Sequence, residues 1–77
     1  MSIAVKFFAS LREQVGCAEA RLDAAQAQTV QQAWLASTGQ STMPANTLMA
    51  VNMEYVAAAH PVADGDEVAF FPPVTGG

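Results

Sequence analysis

Apolar and polar residues alternate along several short segments of the chain, which is the pattern of half-buried β-strands. The segment 3–8 places Ile3, Val5 and Phe7 on one face, and in the segment 18–23 small or apolar residues alternate with charged ones. Two shorter apolar segments and a final one rich in aromatic residues, apolar on both faces at its end, are also typical of strands. We therefore predict four to five strands, at residues 3–8, 18–23, 48–51, 55–56 and 67–71.

A helical spacing replaces the alternation in the middle of the chain. Thr29 and Gln32 form a capping-box pattern that predicts a helix start, and Gly39 predicts its end. We expect Trp34 to anchor this helix on the sheet as a core residue. The residues at spacings of three and four that would face the sheet are Val30, Ala33, Trp34 and Ser37.

A second, shorter helix is predicted directly after the first strand. Ser10 and Glu13 form another capping-box pattern, and Leu11 and Val15 share one helical face. Gly16 is the expected residue just beyond the helix. A helix of one or two turns is too short to be stable without packing against the rest of the domain.

The order strand, strand, helix and further strands predicts a two-layer α+β fold. Because the first and last strands are the most apolar, we expect them to be parallel neighbours at the centre of a mixed sheet. This arrangement is the ubiquitin-like β-grasp, with four to five strands packed on one main helix. We predict a β-grasp domain at residues 1–71 and a flexible, extended diglycine tail at residues 72–77.

The composition restricts the possible functions. The 77 residues, 52% hydrophobic and 13% charged, fit one folded domain rather than a disordered chain. The net charge of −4 and the scattered basic residues argue against nucleic-acid binding, and suit either a basic protein partner or simple solubility. Polar residues interrupt the long uncharged stretch, so no membrane span is expected. The single cysteine, Cys17, and the lack of a signal-peptide pattern predict a cytoplasmic protein.

The carboxyl-terminal tail is the most unusual feature of the sequence. Pro72 and Pro73 favour an extended backbone, so the six tail residues reach about 20 Å at most. Gly76 and Gly77 have no side chains and can enter a slot that is too narrow for other residues. We interpret the tail as a functional arm; the alternative is a frayed chain end.

The chemistry of such an arm lies in its terminal carboxylate. A carboxylate is already anionic and resists nucleophiles until it is activated, for example as an acyl-adenylate made with ATP. The chain has no glycine-rich phosphate loop ending in Lys-Ser or Lys-Thr. We therefore expect it to be the substrate of an activating enzyme and to pass the activated group on to a second protein.

Three segments resemble the small, sulfur-carrying subunits of molybdopterin synthase, the MoaD family. The run 64–77, Asp-Gly-Asp-Glu-Val-Ala-Phe-Phe-Pro-Pro-Val-Thr-Gly-Gly, is similar to that family's carboxyl-terminal signature. Residues 7–13 resemble its amino-terminal motif, and residues 50–56 resemble its middle hairpin. Together the segments cover a little over a third of the chain, in the order that the family has.

The resemblance implies a specific function. Gly77 would be adenylated by a ubiquitin-activating-like enzyme and then converted to a thiocarboxylate with sulfur from a donor enzyme. The tail would enter the large subunit of a heterotetrameric synthase and pass its sulfur to cyclic pyranopterin monophosphate. Catalytic residues are then expected on the large subunit, with no cofactor bound to this chain and with ATP used by the activating enzyme. The partner-binding residues would be Phe71, Pro72, Pro73, Val74, Thr75 and Gly76.

Several alternatives remain open at this level. The chain could serve thiamin thiazole synthesis, modify target lysines as ubiquitin does, or dock through an unmodified tail. Phe71 could contact a partner, or it could lie in a second buried layer under the helix. Cys17 is expected to be an incidental thiol, and His60 has no companion ligand for a metal site.

Overall fold

The structure is a computed structural model that describes residues 2–73. The strands and helices follow the predicted order closely, with one additional 3-10 turn. They are β1 (Ser2–Phe7), α1 (Ser10–Val15), β2 (Glu19–Asp23), the 3-10 turn (Ala24–Gln26), α2 (Val30–Thr38), β3 (Leu48–Val51), β4 (Glu54–Tyr55) and β5 (Glu67–Phe71).

The five strands form one mixed sheet in the order β2-β1-β5-β3-β4. As predicted, β1 and β5 are parallel neighbours at the centre, with Phe7 opposite Phe70 in the register. The β1–β2, β3–β5 and β3–β4 pairs are antiparallel. With one main helix on this sheet, the architecture is the α+β, ubiquitin-like β-grasp that the sequence predicted.

The hydrophobic core lies between α2 and one face of the sheet. Ile3, Val5 and Phe7 are buried, as the alternation in β1 predicted. The prediction that Trp34 is a core residue is confirmed, because its ring meets Phe7 and Phe70 edge-on at centroid distances of 5.9 and 5.1 Å. Its indole N–H donates a hydrogen bond to the Thr42 carbonyl at 3.2 Å, so the buried polar atom is paired.

The start of α2 is close to the predicted capping box. Thr29 caps the helix, and its hydroxyl accepts a hydrogen bond from the Gln32 backbone N–H at 3.2 Å. The Gln32 side chain, however, accepts from the Gln28 N–H at 2.7 Å, one residue before the cap. Gly39 ends the helix in the left-handed conformation, as expected.

The predicted capping box of α1 is wrong. Ser10 is the first helical residue, the N-cap position is held by Ala9, and no side chain caps the helix. The reason is that the β1 pairing extends to Phe8, whose N–H donates to the Phe70 carbonyl at 3.1 Å. The chain must then turn at Ala9, which takes φ +53° and ψ −129°. Gly16 ends α1 in the left-handed conformation, as predicted.

Two further differences concern turns. A reciprocal capping box of Asp23 and Gln26 forms a 3-10 turn that the sequence analysis did not identify. The β3–β4 turn consists of Asn52 and Met53 alone, with φ values of +50° and +72°, which is typical of a two-residue type I′ hairpin. Glu54, expected in the turn, therefore begins β4.

The proposed division into a domain at 1–71 and a tail at 72–77 stays a prediction.

Candidate functional site

The face of the sheet opposite α2, here called the open face, carries an aromatic cluster at one end. The cluster consists of Phe8, Tyr55 and Phe71. The rings of Phe8 and Phe71 stack with centroids 4.6 Å apart and planes 8° from parallel. Tyr55 lies 6.4 Å from Phe71 at a tilt of 58°. Phe8 is 40% exposed and Tyr55 is 74% exposed, so the cluster presents apolar surface to solvent.

Strand alternation explains why these three side chains meet. Phe7 and Phe70 are paired in the parallel register and point into the core. The next residue on each strand, Phe8 and Phe71, points to the other face. Tyr55 reaches the same face through β3, where Ala50 pairs with both Tyr55 and Ala69.

The neighbouring part of the open face carries small side chains and one ion pair. Ala50 and Ala69 lie beside each other on neighbouring strands and present only methyl groups. Lys6, the single lysine of the chain, pairs with Glu67 at 3.5 Å, and both side chains are about half exposed. An exposed ion pair of this kind contributes little to stability.

The structure places some of the predicted site residues and leaves others outside its range. Phe71 is half-buried on the open face, so the alternative position under the helix is wrong. Pro72 is half-buried and Pro73 is exposed, directly beyond β5. Their role in partner binding stays a prediction. The remaining tail residues, Val74, Thr75, Gly76 and Gly77, lie outside the described residues.

The other residues considered in the sequence do not form a site. Cys17 and His60 are both exposed. Within residues 2–73, no group of three or more His, Cys, Asp or Glu side chains is arranged to hold a metal ion. In the same part of the chain, every helix is too short or too polar to cross a membrane.

Sequence reasoning identified Phe71 but missed Phe8 and Tyr55 as members of the cluster. A signal for Phe8 was present, because a parallel β1–β5 pair with Phe7 and Phe70 inside must place both following residues outside. Tyr55 was harder to find, since its position depends on the register of two further strand pairs.

The model of the ThiS family matches residues 5–77, which includes the diglycine end. The molybdopterin synthase sulfur carrier subunit of Escherichia coli is 42% identical over 80 residues, covering 97% of this chain and 99% of that protein.

Among solved structures, the small archaeal modifier protein 1 of Haloferax volcanii has a TM-score of 0.79 and is 29% identical, covering 95% of this chain and 98% of its own. A complex of subunits 1 and 2 of the molybdopterin-converting factor from Helicobacter pylori contains a chain with the same fold, with a TM-score of 0.67, 20% identity and full coverage of both chains. The chain therefore belongs to the ThiS family and has the ubiquitin-like β-grasp fold.

Proposed function

We propose that this chain is the sulfur carrier subunit of a molybdopterin synthase, and that Gly77 carries the sulfur as a thiocarboxylate. The observation that carries the proposal is the 42% identity, over nearly the full length of both chains, to a molybdopterin synthase sulfur carrier subunit. The match of the family model through residue 77 agrees with a function at the diglycine end.

The chemical steps follow from the properties of a carboxylate. An activating enzyme joins the Gly77 carboxylate to the α-phosphorus of ATP and releases pyrophosphate. A sulfur nucleophile from a donor enzyme then attacks the carbonyl carbon, and the bond between that carbon and the AMP oxygen breaks. With a persulfide of the donor as the nucleophile, the product is an acyl disulfide. A thiol of the donor attacks the outer sulfur of that bond and is oxidised to a disulfide, so that the S–S bond breaks and the terminus is left as a thiocarboxylate. Its sulfur then passes to cyclic pyranopterin monophosphate. ATP is thus a substrate of the activating enzyme, and this chain holds no cofactor of its own.

The folded domain has two tasks in this scheme: to hold out the tail and to bind the large subunit. The aromatic cluster lies at the end of β5, where the tail begins, so docking of the cluster would aim the tail into the partner. Exposed aromatic side chains that become desolvated are the usual anchors of protein interfaces. The net charge of −4 would speed the encounter with a basic surface of the partner.

The division of labour between the subunits is part of the proposal. The acid and base groups for sulfur transfer are expected on the large subunit, because the tail brings only its terminal carbonyl group to the reaction. This chain then acts as a sulfur donor, and it must leave the active site after each transfer to be loaded again.

The test is a reconstitution with a chemically loaded carrier. An intein thioester at Gly77 reacts with sulfide to give the thiocarboxylate and a free thiol, without any activating enzyme. The loaded chain is mixed with the large subunit of the Escherichia coli synthase and with cyclic pyranopterin monophosphate. Formation of molybdopterin, together with return of the terminus to the oxygen form by mass spectrometry, supports the proposal. A loaded chain that binds the large subunit but transfers no sulfur contradicts it.

A protein modifier is the second candidate function. It is favoured by the 29% identity to an archaeal modifier protein over nearly all of both chains. A modifier would appear in cells as conjugates through Gly77 on lysines of other proteins. Polymeric chains of this modifier through lysine would have to use Lys6, which is already paired with Glu67. A carrier in thiamin thiazole synthesis, the remaining alternative, would load sulfur equally but fail to convert cyclic pyranopterin monophosphate.

A further inference from the structure

The connection from β1 to α1 contains a backbone conformation that is rare for a residue other than glycine. Ala9 has φ +53° and ψ −129°. These angles match the first central position of a type II′ turn, which is normally occupied by glycine. The other non-glycine residues with positive φ are Asn46, Asn52 and Met53. The two asparagines belong to a residue type that tolerates such angles, whereas alanine gains no side-chain hydrogen bond in return.

Hydrogen bonds on both sides hold Ala9 in this conformation. The Leu11 N–H donates to the Phe8 carbonyl at 3.1 Å and closes the turn. The Arg12 N–H donates to the Ala9 carbonyl at 3.1 Å and begins α1. On the strand side, the Phe8 N–H donates to the Phe70 carbonyl at 3.1 Å. The turn is thus tied to the central strand pair and to the helix at the same time.

The turn also determines where the neighbouring side chains point. Leu11, just after it, is 1% exposed in the core, whereas Phe8, just before it, stands on the open face at 40% exposure. The Phe8 ring has one aromatic neighbour, Phe71, at 4.6 Å. Because the ring is 40% exposed and stacks on a single aromatic neighbour, the backbone conformation helps to determine where Phe8 stands.

We infer that Ala9 is a positioning residue, whose constrained backbone holds Phe8 in the stack with Phe71 before the partner arrives. This inference rests on the proposed function, in which the aromatic cluster docks on the large subunit. Glycine would reach the same φ and ψ with less strain but would also allow many other angles. Alanine restricts those alternatives, so less conformational entropy is lost when the complex forms.

The strain of the Ala9 backbone can be separated from its restriction of other backbone angles by a D-amino acid at this position. A D-alanine at position 9 has the opposite handedness, so for it these angles correspond to the relaxed extended region. The Gly16–Cys17 junction permits native chemical ligation of a synthetic 1–16 thioester to recombinant 17–77. The product is the full chain, and unchanged protein made in the same way is the reference. Ala63→Gly, in an exposed loop at the opposite end of the sheet, controls for a general loosening by glycine.

The expected results differ between the two variants at position 9. Ala9→Gly should weaken binding to the large subunit about 3- to 10-fold, raising the KM for the loaded carrier and leaving kcat unchanged. Its Tm should move by less than about 5 °C, because relief of strain offsets the added freedom of the unfolded chain. Ala9→D-Ala should keep the reference affinity and raise the Tm. Ala63→Gly should leave the affinity unchanged.

A readout without the partner separates this inference from the proposed function. In the isolated protein, Ala9→Gly should weaken the ring-to-ring NMR contacts between Phe8 and Phe71, whereas Ala9→D-Ala should preserve them. Unaltered ring contacts in Ala9→Gly, or an affinity equal to the reference, would overturn the positioning role. Failure of the reference protein itself to bind any large subunit would count against the proposed function, and the ring contacts would still decide the role of Ala9.

Discussion

Phe70 and Phe71 offer a test in which two adjacent residues of one type have different roles. Phe70 is fully buried in contact with Phe7 and Trp34, whereas Phe71 lies half-buried in the aromatic cluster. We expect Phe70→Ala to damage folding and Phe71→Ala to damage docking. The comparison is well matched, because both changes remove the same atoms from neighbouring positions of β5.

The magnitudes follow from burial. A domain of 77 residues is stable by roughly 4–12 kcal/mol, and loss of a buried phenylalanine costs about 3–5 kcal/mol. Phe70→Ala should therefore lower the free energy of unfolding by a large share of the total. Phe71 has two aromatic neighbours, each contributing about 0.5–1.5 kcal/mol, and it is only half-buried. For Phe71→Ala we expect a loss of about 1–2 kcal/mol, with the fold retained.

For docking on the large subunit, Phe71 should be the more important of the two side chains. Truncation of an aromatic anchor at the centre of an interface costs about 2 kcal/mol or more, which is roughly a 30-fold loss of affinity. Urea unfolding measures the first quantity, and calorimetric titration with the large subunit measures the second. Phe71→Ala that folds and still binds the large subunit as tightly as the unchanged chain would refute the assignment of the aromatic cluster as the docking site.

Three further predictions concern the tail and two local hydrogen-bond networks. Appending one residue after Gly77 should abolish sulfur transfer while leaving the circular dichroism and Tm unchanged, because the activated group is then no longer at the tip; normal turnover would argue against Gly77 as the sulfur-carrying residue. Gly76→Val should also abolish transfer, because it widens the arm and restricts its backbone angles; normal turnover in that variant would argue against a narrow slot for the tail. Thr29→Ala should lower the stability by about 1 kcal/mol, whereas Ser10→Ala should change it by less than about 0.5 kcal/mol, because only Thr29 caps its helix; equal losses in thermal unfolding would contradict this. Asn52→Ala should lower the free energy of unfolding in urea by about 1–3 kcal/mol, because it removes the side-chain hydrogen bonds to Asp66 and to the Glu67 N–H and leaves alanine at positive φ. Asn52→Gly should recover only the part of this loss that comes from backbone strain.

The strands and α2 were predictable because their signals are local. Alternation in β1 identified its buried face, and the high apolar content of the first and last strands indicated their central pairing. The helix end at Gly39 needed only the residue type and its place after the helical spacing. The function was predictable for a related reason, since the diglycine end and its flanking residues are contiguous in the sequence.

The features that were missed depend on contacts between distant parts of the chain. The pattern at Ser10 is a good local cap, but the bond from Phe8 to Phe70 extends β1 and moves the turn to Ala9. The Asp23–Gln26 turn contains two alanines and no apolar periodicity that would mark it. Tyr55 joins the aromatic cluster only because β4 pairs with β3 in one particular register. Such registers are set by the whole sheet rather than by neighbours in sequence.

The single tryptophan lies on the side of the sheet away from the aromatic cluster, in contact with Phe7 and Phe70. The fluorescence emission of Trp34 should therefore report whether the core is intact, and it should change little when a partner docks on the open face. Tyr55, the single tyrosine, is exposed within the cluster and is suited to sense a partner. One spectroscopic sample thus contains two natural probes, which can distinguish a variant that has unfolded from one that has merely lost its partner.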